Sequence, residues 1–405
     1  MEIKLPIKAL IRRRAWLFGR LSVGKALNLA SAAKDFALKR ETLSAFPSFV
    51  KIDISPLCNL HCTACVHADP NGNPNLERQV FDPKHKMTLE QFGRIIEQIR
   101  GKTSAVSLYY LGDPMVHPDL DRMCRLAADA GLQVHVSTNF SFGLKDDRIR
   151  RMVQSGLSHL TVCIDGVSQE KYQLTRVGGK IEHVLHNLKR VTRMRKALGQ
   201  RYPLVEVQFI MFQHNADEVE KAREMCKDLG VDEFVTFWGD LHNWTSCDPD
   251  SFEVIGPRPG TRLPRCYWPY FTTVIKWNGD VIPCCLHRQG MQYAPGADAR
   301  VFGNVFQKGI GEIWNSPQYR QARRVASDPT RSNHEPALKS HFCDACPTLF
   351  ETTHYDKAQW GHTSRFEDVF TLNEKGRPVR KAPPDGRPGT SNCAEPSSKL
   401  PPAAE

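Results

Sequence analysis

No uninterrupted apolar stretch in this 405-residue chain approaches the roughly 20 residues needed to cross a bilayer, which excludes a helical membrane span. Nothing at the N-terminus resembles a signal peptide, so the thirteen cysteines do not read as a secreted disulfide framework. Free thiols spread over a chain of this length imply a reducing compartment, and the expected location is cytoplasmic. No appended RNA-binding module is evident, and the formal charge of +11 is concentrated at one end, which argues against a nucleic-acid partner. A fourth cysteine near the first three is also missing. After Cys58, Cys62 and Cys65 the next is Cys124.

What is present is a soluble-type composition, 40% hydrophobic, with room for one large domain and a smaller one. Residues 1–48 are basic and partly amphipathic. Within the first forty, ten Lys or Arg stand against Glu2 and Asp35, and Arg12, Arg13 and Arg14 neighbour Trp16, Leu17 and Leu21. This segment is expected to be helical, either packed on the domain with a solvated basic face or lying on an anionic membrane surface.

From residue 49 to about 240, short β-branched or aromatic runs alternate with helical ones. Strands are expected near 49–54, 105–110, 132–137, 159–164, 204–210 and 233–238. Thr88 and Gln91 form a capping box for a helix through Ile99 that Gly101 ends, and Gly131 ends a helix running from Pro118 to Ala130. Six strand-helix units predict an α/β fold, a partial (βα)6 TIM-like barrel with chemistry at the carboxyl ends of its strands. Those ends carry Gly112-Asp113-Pro114, Ser137-Thr138-Asn139, Asp165-Gly166, Gln213-His214-Asn215 and Gly239-Asp240. Residues 241–261 read as a linker, 262–350 as a small C-terminal domain, 351–372 as an extension and 373–405 as a proline-rich, disordered tail.

Cys58, Cys62 and Cys65 follow the first strand in the run Cys58-Asn59-Leu60-His61-Cys62-Thr63-Ala64-Cys65. Three thiolates on one loop can hold three irons of a cubane cluster and leave the fourth iron free to chelate a small molecule. Paired thiolates two residues apart are also common zinc ligands. The spacing at the end of a first strand resembles that of the radical S-adenosylmethionine (radical SAM) enzymes. The resemblance implies a 4Fe-4S cluster on Cys58, Cys62 and Cys65, with S-adenosyl-L-methionine bound through its methionyl amine and carboxylate. Leu111-Gly112-Asp113-Pro114 then matches the family's Gly-Gly-Glu-Pro stretch, where Gly112, Asp113 and Pro114 would receive the cofactor's ammonium. Cys163-Ile164-Asp165-Gly166 matches the family's Ser-x-Asp-Gly, with Cys163 in place of serine. Arg176 matches an arginine that in the family pairs with the cofactor carboxylate. Ala64 stands where many relatives place an aromatic residue.

Downstream, Cys266, Gly279 with Cys284 five residues on, and the pair Cys343 and Cys346 supply four thiolates, enough to close a second 4Fe-4S cluster or a structural zinc site. Cys285 is left spare. The region resembles the SPASM and shorter twitch extensions of radical SAM enzymes, and the shorter form fits because no further cysteines follow closely. Cys124, Cys163, Cys226, Cys247 and Cys393 read as buried small apolar residues and a tail thiol.

The resemblance implies cleavage of S-adenosylmethionine to a 5′-deoxyadenosyl radical and hydrogen abstraction, with the second cluster as electron acceptor or relay and a flavodoxin or ferredoxin as donor. The expected substrate is a sugar, an aminocyclitol or a lipid-linked small molecule. A ribosomally made peptide is the alternative, and a non-catalytic metal-stabilised binding protein the third. No catalytic residue is assigned. His214, Asp240 and His242 lie near strand ends and read as loop residues.

Overall fold

The computed structural model describes residues 19–63, 65, 67, 82–239, 266–285, 301–338, 341–343, 349, 370–374 and 378–381. Helix α1 (Val23–Ala37) precedes strand β1 (Phe49–Ile52). Then come α2 (Leu89–Ile99), β2 (Ala105–Ser107), α3 (Leu120–Asp129), β3 (Gln133–Thr138), α4 (Asp146–Gln154) and β4 (His159–Ile164). They are followed by α5 (Gln169–Thr175), α6 (Ile181–Ala197), β5 (Leu204–Met211), α7 (Val219–Asp228) and β6 (Glu233–Trp238).

Local chemistry sets these boundaries as expected in most places. The Thr88–Gln91 capping box is formed in both directions, and α2 buries Phe92, Ile95, Ile96 and Ile99, one stripe of a 3.6-residue period. Gly101 and Gly131 take positive φ of 78° and 80°, the left-handed turn that ends a helix. Helix α3 starts two residues later than expected, at Leu120, because His117 and Asp119 form a turn in which the Asp119 amide donates to His117 Nδ1 (3.1 Å).

Strands β1 to β6 run parallel in sequential order. Right-handed crossovers in an unbroken order put the connecting helices α2 to α7 on one face of the sheet. That face is apolar, with Val50, Ile52, Val106, Val134, Val136, Leu160, Val162, Val205 and Val207 all fully buried. The sheet does not stop at six strands. After the short helix α8 (Trp268–Phe271), β7 (Thr272–Ile275) pairs parallel with β1, and β8 (Val281–Ile282) returns antiparallel. The result is a mixed eight-stranded α/β sheet, and the C-terminal cysteine region is rooted in its β1 edge.

Helices α9 (Ile310–Trp314) and α10 (Pro317–Ser327) pack behind that edge. Arg323 of α10 is fully buried and donates to the carbonyls of Glu41 (2.8 Å), Pro269 (2.9 Å) and Trp314 (2.6 Å). One guanidinium thereby ties the N-terminal segment to the C-terminal region. Burial pushes it down to about 10. A short hairpin of β9 (Phe370–Leu372) and β10 (Pro378–Arg380) lies further on. Among the described residues no helix is long and apolar enough to cross a membrane.

Candidate radical SAM site

The cysteine loop leaves β1 and is held from two sides. On one side the Asp113 amide donates to Leu57 O (2.8 Å), and Gly112 lies flat against the loop. A Cβ at Gly112 would stand 2.3 Å from Ser55 O and 2.4 Å from Leu57 O, so only glycine permits this approach. On the other side the His61 and Thr63 amides donate to Val177 O and Thr175 O, each at 3.0 Å. Cys58, Cys62 and Cys65 are in no disulfide, and each is half-buried. Burial pushes the Cys58 thiol well up and the Cys62 thiol up to about 12, and neighbouring thiols add to both.

Asp113 begins the turn Pro114–Val116 and is buried. Its carboxylate accepts from the Met115 amide (2.9 Å), the Asn139 amide (2.7 Å) and the Thr138 hydroxyl (2.9 Å to each oxygen). Burial still outweighs these bonds and pushes its carboxyl up to about 6. The carboxylate expected to face a cofactor ammonium is thus engaged in binding the end of β2 to the end of β3. Asn139, which the sequence offers only as a strand-end turn, donates to Asn59 Oδ1 (2.9 Å) and to Cys58 Sγ (3.7 Å).

At the end of β4, Asp165 and Arg176 form a two-pronged ion pair, Nε to Oδ2 at 2.6 Å and the terminal nitrogen to Oδ1 at 3.2 Å. Arg176 also hydrogen-bonds the Cys62 thiol. Burial works to lower the arginine's pKa but is outweighed by Asp165, with Cys62 and Cys163 adding, so the net direction is up. Expected from sequence to meet a cofactor carboxylate, Arg176 here braces the cysteine loop against the fourth strand. Cys163 lies 3.5 Å from Ser137 Oγ and 3.9 Å from Gln208 Oε1, and burial raises its pKa.

The face of the sheet turned away from the helices is polar, although parallel strands are ordinarily apolar on both faces. His135 Nε2 meets Thr161 Oγ1 at 2.9 Å, the Thr161 hydroxyl donates to Glu206 Oε1 (3.3 Å), and His159 Nε2 lies 3.6 Å from Glu206 Oε2. Sequence reasoning missed this row. Its signal was there: Gln133, His135 and Ser137 of β3, His159 and Thr161 of β4, and Glu206 and Gln208 of β5 alternate with apolar residues, the period of one sheet face. His214, by contrast, stacks on Phe212 at 5.5 Å, while Asp240 and His242 lie outside the described residues.

In the C-terminal region Cys266, Cys284 and Cys285 are half-buried and Cys343 is buried; Cys346 lies outside the described residues. Cys284 and Cys343 both reach the electrostatic surroundings of Tyr319. Cys285 instead hydrogen-bonds Lys51 of β1. Among the described residues, no three or more His, Cys, Asp or Glu converge as a single metal ion would require. A cubane asks for less convergence, since each thiolate takes a different iron. The donor set of three thiols on a braced, half-buried loop fits that group.

A model of the radical SAM superfamily matches residues 52–205, and a model of the SPASM iron-sulfur cluster-binding domain matches residues 266–347. The tungsten-containing aldehyde ferredoxin oxidoreductase cofactor-modifying protein of Pyrococcus furiosus is 22% identical over 321 residues, covering 69% of this chain and 84% of that protein. AdoMet-dependent heme synthase of Methanosarcina barkeri is 25% identical over 193 residues, 47% of this chain and half of that protein's length. In fold, the chain is similar to Streptococcus suis SuiB bound to S-adenosylmethionine, with a TM-score of 0.53 and 16% identity over 78% of this chain and 77% of that one. SuiB bound to precursor peptide SuiA matches with a TM-score of 0.53 and 14% identity over 80% of this chain and 73% of that one. With a radical SAM domain followed by a SPASM auxiliary iron-sulfur domain, the chain is an enzyme of the radical SAM superfamily.

Proposed function

We propose that this enzyme modifies a peptide substrate held against the polar face of a partial six-unit barrel. Cys58, Cys62 and Cys65 would hold the SAM-binding 4Fe-4S cluster, and Cys266, Cys284, Cys343 and Cys346 a second one. When bound, the first cluster and S-adenosylmethionine supply a carbon-centred radical able to take hydrogen from an unactivated carbon. The chain's own part is positioning. Arg176 and Asp165 brace the loop, and Gly112 and Asp113 set its distance from β2. With the Asp113 carboxylate engaged, cofactor recognition at Gly112-Asp113-Pro114 falls to backbone carbonyls. The row from His135 to Glu206 offers hydrogen-bonding groups to a polar substrate and a place for its proton.

The observation that carries the peptide reading is the likeness in fold to SuiB, a protein solved with a precursor peptide, over four-fifths of this chain. It moves the balance away from the small-molecule substrate expected from sequence. The small-molecule reading keeps one support, the relatives named for cofactor modification and heme synthesis. In both readings Cys266, Cys284, Cys343 and Cys346 would hold a cluster able to accept or relay an electron, and a flavodoxin- or ferredoxin-like protein would be the electron donor.

The test uses anaerobically reconstituted enzyme and follows 5′-deoxyadenosine. A peptide fraction of host extract should stimulate its formation, and protease treatment of that fraction should abolish the effect; protease-resistant stimulation would return the assignment to a small molecule. Iron and acid-labile sulfide on the same sample should reach about eight per chain, whereas about four irons with one zinc would make the C-terminal site structural.

A further inference from the structure

Helix α1 is built the wrong way round for a helix on a water-soluble surface. Its inward face is largely polar, with Lys25, Asn28 and Asp35 at 3%, 9% and 0% exposure beside buried Ala32. Each is satisfied by backbone groups. Lys25 Nζ donates to Gly131 O (2.5 Å) and Arg20 O (3.2 Å). Asn28 exchanges hydrogen bonds with Phe46, donating to its carbonyl (3.0 Å) and accepting from its amide (2.7 Å). Asp35 accepts from the Ser44 amide (2.8 Å) and hydroxyl (3.0 Å). The helix is therefore docked largely by these hydrogen bonds, with buried Ala32 and the Phe36 ring on Tyr270 (5.2 Å) as its apolar contacts.

The apolar stripe points outward. Val23 is 78% exposed, Leu27 64% and Leu38 59%, with Leu21 at 38% just before the helix. At 100° per residue, Val23, Leu27, Ala30, Lys34 and Leu38 fall on one side. An ordinary surface helix shows the reverse pattern. The charge around this stripe has one sign. Lys34 sits within it, exposed Lys39 follows it, and Arg12, Arg13 and Arg14 precede it in sequence beside Trp16 and Leu17. A cation on a long aliphatic stem amid exposed leucines suits the boundary between acyl chains and phosphates, where the stem stays apolar and the ammonium reaches the headgroup.

We propose that the outward face of α1 docks on an anionic lipid surface, making the enzyme a peripheral membrane protein. Val23, Leu27 and Leu38 enter the interface, and Lys34 with Lys39 meets lipid phosphates. Docking through this face leaves the cysteine loop and the polar face of the sheet untouched, so the inference is independent of the substrate.

The experiment is co-sedimentation of the full, cluster-loaded chain with vesicles of phosphatidylcholine alone and of phosphatidylcholine with phosphatidylglycerol. Binding is expected to favour the phosphatidylglycerol vesicles by about tenfold or more and to weaken at high salt. Val23→Glu with Leu27→Glu is expected to reduce it by at least about tenfold, while 5′-deoxyadenosine formation stays at the parent rate and shows the variant folded. Equal sedimentation of variant and parent, or equal binding to both lipids, overturns the proposal. So does loss of binding only when residues 1–18 are removed, which would assign the contact to that segment. A parent that dimerises without vesicles, and a double variant that does not, would give the face to a second copy of the chain.

Discussion

Gly112→Ala should separate the radical site's geometry from its chemistry, because it alters no ligand, charge or hydrogen-bonding group. The added Cβ would lie 2.3 Å from Ser55 O, 2.4 Å from Leu57 O and 2.6 Å from the Pro56 carbonyl carbon, whereas ordinary contact begins at 3.4 Å. All three neighbours are backbone atoms of the loop that leads into Cys58, and no flexible side-chain end is available to swing aside. The loop and the β2 end must part by about 1 Å, and overpacking of this kind costs roughly 1–3 kcal/mol. The Asp113 amide to Leu57 carbonyl bond of 2.8 Å is stretched by the same movement. A 1 Å misplacement at a reacting centre lowers rate by about 100-fold. The variant is expected to fold, melt several degrees lower and form 5′-deoxyadenosine about 100-fold more slowly at full iron content. Gly143→Ala is the control, since nothing lies within 4 Å of a Cβ there. If Gly112→Ala matches wild type in melting temperature and in 5′-deoxyadenosine rate, the close approach is not what positions the loop.

Arg176→Lys loses the two-pronged pair with Asp165 and should weaken S-adenosylmethionine binding to reconstituted enzyme by about 10- to 100-fold in equilibrium dialysis; unchanged binding would show that the brace is dispensable. Asp113→Asn sets an amide N–H against the Asn139 amide and should cost about 1–3 kcal/mol in urea unfolding near neutral pH. Burial pushes the Asp113 carboxyl from 3.8 up to about 6, so the stability this proton brings is fully present below the lower value and lost as pH rises through the upper. The wild-type advantage over Asp113→Asn should therefore grow by about 3 kcal/mol as pH falls across that window, and parallel stability curves would refute the shift. Arg323→Met strands the carbonyls of Glu41, Pro269 and Trp314 and should cost at least about 3 kcal/mol in denaturant unfolding; a loss under about 1 kcal/mol would mean that the remaining hydrogen bonds between these segments, such as Trp314 Nε1 to the Ala45 carbonyl, suffice without it.

Local period and turn chemistry are legible in the order of the amino acids. The Thr88–Gln91 box, the glycines at 101 and 131 and the six strand runs depend on neighbours within a few residues, and six strands form at these runs, although β1 and β2 end at Ile52 and Ser107, short of the expected 54 and 110. The start of α3 escaped because the His117 ring captures the Asp119 amide, a side-chain contact that competes with the first helical turn. The three cysteines were equally local, since a loop of eight residues suffices to hold them near one another.

What the sequence could not settle are the contacts made across long separations. Asp113 and Asn139 are 26 residues apart, Arg176 and Cys62 far more, and only the pairing of parallel strands brings their ends to one side. Matching residues to a motif offered Asp113 and Arg176 a cofactor; folding shows their side chains binding the loops to one another, because a buried charge must be satisfied. Cys284 and Cys285 are neighbours in sequence, yet the charge of one bears on Tyr319 and that of the other on Lys51, residues that only folding brings to this end of β8. The inverted face of α1 is the clearest case. Composition alone marks the segment as basic and amphipathic, but which side meets the protein was decided by backbone groups of Phe46, Ser44 and Gly131 that only the tertiary fold delivers to Asn28, Asp35 and Lys25.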